Sequence, residues 1–182
     1  MVYIALLRGI NVGGNNKIDM KLLKQTFERA GLHNVVTYIN TGNIIFTSNE
    51  HTALAISQLL EEAIHADFGL QIKVVVRSLE DYRVIIEALP DTWTNDQVMK
   101  SDVLFLWDEI NDKSVLDQIA INPELDRVLY APGAILWSVD KENVTKSKMT
   151  KLVGTKLYRQ MTVRNVNTAR KIYELMLAAD NK

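Results

Sequence analysis

Residues 35–47 read Val35-Val36-Thr37-Tyr38-Ile39-Asn40-Thr41-Gly42-Asn43-Ile44-Ile45-Phe46-Thr47, two β-branched and aromatic runs meeting at Thr41-Gly42. This pattern predicts a β-hairpin with strands over 35–40 and 43–47. A second hairpin signal, Val128–Tyr130 and Ile135–Val139 around Pro132-Gly133, repeats it with Gly133 standing 91 positions after Gly42. The pairs Ile44/Ile135, Ile45/Leu136 and Phe46/Trp137 keep the same spacing.

Working outward, Val2–Leu7 is a continuous apolar run and reads as a central strand. Asp19 is placed to cap a helix, with Ile18 and Leu23 as a hydrophobic staple and Gly31 at its end. Ala53–Phe68 has helical periodicity, Ile72–Val76 reads as a strand, and Leu79–Leu89 as a helix stopped before Pro90. The order is β-α-β-β-α-β plus a linking helix, the ferredoxin-like split β-α-β unit. The second half repeats it: strand Val103–Trp107, helix Ser114–Ala120, the hairpin, helix Lys148–Arg159, strand Met161–Val163 and helix Val166–Ala178. Strand-to-helix junctions match at a spacing of 87, including Val76/Val163, Arg77/Arg164, Arg83/Arg170 and Glu87/Glu174. The fold class expected is therefore α/β (α+β), a tandem duplication of a ferredoxin-like unit, each copy followed by a helix. The expected domains are 1–90 and 101–182.

The chain has 182 residues, 47% hydrophobic and 24% charged, with a net charge of −1 and no cysteine. Disulfides, thiolate nucleophiles and cysteine-ligated metals are thereby excluded. Val2–Leu7 is too short to span a membrane and has no basic leader, so a cytoplasmic location without a membrane partner is expected. His33, His51 and His65 stand apart from carboxylates at ligand spacing, so neither metal nor cofactor is expected. No G-x-S-x-G elbow or other nucleophile–base pattern is present, and no catalytic residue is assigned.

Charge is segregated along the chain. From Glu80 to Asp126 twelve acids face three bases, a net of −9, and from Lys141 to Lys171 nine bases face one acid, a net of +8. The basic stretch 141–171 makes nucleic acid an alternative partner, although the pI of 6.3 is far from the basic balance of most such binders.

The split β-α-β topology brings the end of the first strand and the hairpin turn to one edge of the sheet. Arg8–Asn16 and Asn40–Asn43 should then be neighbours. Arg8 supplies charge, Gly13 and Gly14 offer backbone amides, and Asn11, Asn15, Asn40, Thr41 and Asn43 offer orienting polar groups. The expectation is a pocket for a small anionic or phosphate-bearing ligand, with Arg164 and Asn165 as a secondary site. The competing reading makes the Asn side chains struts between loops. Tyr3, Leu7, Tyr38 and Ile45 are expected to form a second apolar sheet face, open to the other repeat or to a homo-oligomer partner.

Three ordered motifs carry a resemblance across essentially the whole chain. They are Arg8-Gly9-Ile10-Asn11-Val12-Gly13-Gly14, Val35-Val36-Thr37-Tyr38-Ile39-Asn40-Thr41-Gly42-Asn43 and Thr162-Val163-Arg164-Asn165-Val166-Asn167-Thr168. The chain resembles a widespread bacterial family catalogued as domain of unknown function number sixteen ninety-seven. That resemblance implies a duplicated ferredoxin-like fold and no established activity.

Overall fold

A computed structural model describes residues 1–49 and 51–182. The chain comprises β1 (Val2–Leu7), α1 (Met20–Arg29), β2 (His33–Tyr38), β3 (Asn43–Thr47), α2 (Ala53–Phe68), β4 (Val74–Ser78) and α3 (Leu79–Ala88). These are followed by β5 (Met99–Leu106), β6 (Arg127–Ala131), β7 (Ala134–Asp140), β8 (Met161–Asn165) and α4 (Val166–Asp180). Two compact units result, one formed by Met1–Glu80 with Ile172–Lys182 and the other by Asp81–Lys171.

In the first unit the sheet order is β2-β3-β1-β4, every neighbouring pair antiparallel. That order makes β1 and β2 parallel without being adjacent, as a split β-α-β unit requires. Helices α1 and α2 bury Leu23, Phe27, Ile56, Leu60 and Ile64 in one core with Tyr3, Ala5, Leu7, Ile44 and Phe46. Tyr3 stacks on Phe46 at 5.8 Å between ring centroids, and Phe27 meets Phe46 edge-on at 5.9 Å. Asp19 caps α1, its Oδ1 accepting from the Lys21 and Leu22 N–H groups at 2.8 and 3.1 Å. Ile18 and Leu23 both lie in the core, so the expected staple is formed.

One expectation is overturned by register. Tyr3 pairs with Phe46, whereas Ile4 pairs with Ile45 and Tyr38 with Asn43. Alternation along a strand therefore puts Tyr3 and Leu7 on the helix-covered face, and Ile45 and Tyr38 on the other. Ile4, Leu6 and Ile45 are nonetheless 0–1% exposed, so β1 is withdrawn from solvent on both faces.

The second unit repeats the arrangement, with sheet order β6-β7-β5-β8 and all pairs antiparallel. Leu7 N–H donates to the Gly42 carbonyl at 2.9 Å, and Leu106 N–H to the Gly133 carbonyl at 2.9 Å. The chain is thus a duplicated ferredoxin-like protein. The copies differ in their helical layer. Where a helix over Lys148–Arg159 is expected, the chain forms 3-10 segments Lys148–Gly154 and Leu157–Gln160, preceded by another at Lys141–Lys146. Thr150, Val153, Gly154 and Thr155 weaken an α-helix there, and buried Met149 and Leu152 recur every three residues, the 3-10 period. Ser114–Ala120, also expected to be helical, is a 3-10 segment at Lys113–Gln118.

The Asp126 carboxylate ties this layer to the sheet. It accepts from Trp137 Nε1 at 3.0 Å, from the Asn122 N–H at 2.8 Å and from the Ser147 hydroxyl. Tyr82 stacks on Phe105 at 5.6 Å and donates its hydroxyl to the Ala169 carbonyl at 2.8 Å.

Candidate functional site

The Arg8–Asn16 loop and the β2–β3 turn do meet. Asn11 stands at φ 53°, a left-handed backbone that Asn adopts more readily than most residues. Its Oδ1 accepts from the Ile18 N–H at 2.9 Å, and its Nδ2 donates to the Ile18 carbonyl at 3.1 Å and the Asn40 carbonyl at 2.7 Å. One carboxamide thus joins the loop, the entrance of α1 and the hairpin turn. Asn16 Nδ2 closes the loop on the Gly9 carbonyl at 3.0 Å.

Between these anchors Val12-Gly13-Gly14-Asn15 makes a tight turn, with Asn15 N–H on the Val12 carbonyl at 3.1 Å. Gly13 and Gly14 have φ of 60° and 77°, positive at both central positions as a type I′ turn demands. The turn is exposed and its tip is not packed against the body of the unit.

An open depression of about 450 Å³ lies beside it, lined by Asn11, Gly14, Lys17, Ile18, Asp19 and Asn40. Of the residues expected at the site, Asn11, Gly14 and Asn40 line this hollow; Gly13 and Asn15 are on the adjoining turn. Arg8 is half-buried, its N–H donating to the Lys73 carbonyl at 3.0 Å. Asn43 is wholly buried, its Nδ2 donating to the Tyr38 carbonyl at 3.0 Å and to Thr41 Oγ1 at 3.1 Å. Asn11, Asn16 and Asn43 are therefore struts, and Asp19 is occupied in capping α1. Exposed Lys17, the exposed Asn40 carboxamide and the Gly14 backbone remain presented to solvent.

Lys17 escapes a motif search because it fits no phosphate-loop spacing. The signal for it is positional, two residues before the helix cap that closes the loop.

The secondary pair lies in the second unit. Arg164 is 8% exposed and donates through Nη1 to Thr162 Oγ1 at 2.9 Å and the Val163 carbonyl at 2.8 Å. Burial lowers its pKa to about 10, and the neighbouring Tyr82 opposes that shift. Asn165 Oδ1 accepts from the Thr168 N–H at 3.0 Å, the geometry of a helix N-cap on α4. Among the described residues no group of three or more His, Cys, Asp or Glu could hold a metal, and no helix is long and apolar enough to cross a membrane.

The two repeats make this a duplicated ferredoxin-like α+β protein. The chain belongs to the family described as protein of unknown function DUF1697, whose model matches residues 1–137. A solved structure, that of the conserved bacterial protein SP0830 from Streptococcus pneumoniae, is similar to it at 30% identity and a TM-score of 0.82. That similarity covers 96% of this chain and 98% of the other. No curated protein matches.

Proposed function

We propose that the chain is a binding module for a small anionic or phosphate-bearing ligand, held at the Arg8–Asn16 loop and the Asn40–Asn43 turn. The observation that carries this reading is the hollow lined by Lys17, Asn40 and Gly14, with a scaffold already rigid because Asn11, Asn16 and Asn43 are spent on backbone partners. Asp19 already occupies the N-terminal amides of α1, so an anion here draws on Lys17 and loop amides. Ile39 lies next to Asn40 at φ 50°, and strain of this kind in a β-branched residue is concentrated at functional turns.

Isothermal titration with phosphate, pyrophosphate, nucleotides and sugar phosphates tests it. At least one should bind, and Lys17→Ala or Asn40→Ala should weaken it about tenfold or more at unchanged melting temperature. Asn43→Ala is the wrong probe, since it removes a buried strut. Absence of binding by all probes, or affinity indifferent to Lys17 and Asn40, refutes the reading.

Nucleic-acid binding through the 141–171 stretch is the second reading. It rests on Lys146, Lys148, Lys151, Lys156 and Arg159, all exposed, because Arg164 is buried, Lys141 donates to the Asp96 carbonyl at 2.9 Å and Arg170 donates to the Pro90 carbonyl at 3.0 Å. Affinity for single- or double-stranded oligonucleotides should then fall steeply with salt.

A further inference from the structure

The duplication supplies an internal comparison. The matching Leu7–Gly42 and Leu106–Gly133 hydrogen bonds align β5 with β1, and Asp102 then falls at the place of Tyr3. The cross-strand partners agree: Tyr3 opposes Phe46 and Ser78, while Asp102 opposes Trp137 and Asn165. In the first unit this place is filled by stacked rings, and the segment that follows the hairpin forms the 16-residue helix α2. In the second, a carboxylate replaces the ring and short 3-10 segments replace the helix.

A cavity of about 270 Å³ results, lined chiefly by Leu104, Trp137, Met149, Leu152 and Tyr158, with Lys100 and Asp102 on its wall. That volume is worth about nine liquid waters, below the ~300 Å³ of common drug-sized sites. Asp102 is 6% exposed, and its Oδ2 meets Lys100 Nζ at 3.0 Å. Lys100 also lies 5.6 Å from the centre of the Trp137 ring. Burial raises the pKa of Asp102 despite the Lys100 charge, so the carboxylate is kept at a cost in stability that an aromatic residue would not carry.

We infer that this cavity is a binding site for a small zwitterion with an apolar body, the class of the hydrophobic α-amino acids. The ammonium would meet the Asp102 carboxylate, the ligand carboxylate would meet Lys100, and the side chain would fill the space under Met149, Leu152 and Tyr158. Charge decides the class: the Lys100–Asp102 pair is neutral, so a lone amine is opposed by Lys100 and a lone acid by Asp102, whereas a zwitterion complements both.

The test is titration of the full chain with L-leucine, L-methionine and L-phenylalanine, read by calorimetry and by the indole N–H resonances in NMR. Saturable binding should appear at millimolar concentration or below. Phenethylamine and 3-phenylpropanoate should each bind about tenfold more weakly or worse than phenylalanine. Lys100→Gln should weaken the amino acid about tenfold and lower the melting temperature, since it leaves the buried Asp102 carboxylate unpaired, whereas Asp102→Asn should weaken it while raising that temperature. Failure of all three amino acids to bind overturns the inference. So does equal binding of the amine or the acid alone, or affinity unaffected by both substitutions.

Discussion

Ile39, at φ 50°, holds a backbone that costs a β-branched residue about 1–2 kcal/mol. Its side chain is 48% exposed, so little packing opposes its replacement. Ile39→Asn should therefore raise stability by about 1 kcal/mol, seen as a higher urea midpoint at unchanged slope. Gly42 behaves oppositely: at φ 92° an added Cβ would lie 2.7 Å from Leu7 Cβ, and Gly42→Ala should cost about 2 kcal/mol or more. The two central carboxylates of the second unit have opposite pH signatures. For Asp126 desolvation acts upward, but hydrogen bonds from Ser147, the Asn122 amide, Trp137 and the Lys148 amide together hold its pKa below the ordinary 3.8. Its contribution is complete above 3.8 and is lost as pH falls through that value toward the folded one. Asp102, raised above 3.8, binds its proton first in the folded state, so stability rises as pH falls between the raised value and 3.8. Melting temperatures across the acid range should show Asp126→Asn less stable at neutral pH with a flatter acid loss, and Asp102→Asn more stable at neutral pH. Asp102 is also where a linear reading misleads. In sequence it belongs to a long acidic run and precedes a strand expected to start at Val103; its alternation with Leu104 and Leu106, which turns it inward, is visible only once β5 is known to begin at Met99.

At the scale of elements, legibility follows the punctuation and the apolar period of each segment. Helix α2 runs over Ala53–Phe68 as its periodicity indicates, because Thr52 caps its start at the Ala55 N–H and Gly69 ends it at φ 67°. Helix α1 carries an equally plain cap, and Asp19→Ala should lower stability by about 1 kcal/mol, measured by thermal melting. The stretch 148–159 is capped as well, Ser147 Oγ accepting from the Met149 N–H at 3.1 Å, so its start carries the same signal as a true helix. Its apolar positions Met149 and Leu152 suit three residues per turn as well as 3.6, and the choice is made by Gly154 and the β-branched residues around it. The apolar sheet faces were separable only by register, since β1 is apolar at every position. The meeting of Asn11 with Asn40 was legible from topology alone, but that Asn11 would bind backbone and leave Lys17 as the presented cation depends on side-chain geometry no spacing rule encodes.

For the whole molecule, the first unit is discontinuous in sequence, taking Ile172–Lys182 from the far end of the chain. Ile172 and Met176 are both 0% exposed, so these residues belong to packed structure and not to a loose tail. A fragment spanning residues 1–90 therefore lacks part of its own unit and should show poorly dispersed NMR spectra and no cooperative melt. Co-expression with residues 91–182 should restore both; a cooperatively folded 1–90 fragment would refute this. The same discontinuity puts a clock on synthesis. At about 5–20 residues per second, the ribosome spends about 5–18 s making residues 81–171 before the last segment of the first unit is begun. For that interval residues 1–80 wait on residues 172–182, and their apolar surface must be kept from wrong partners until that segment has been made.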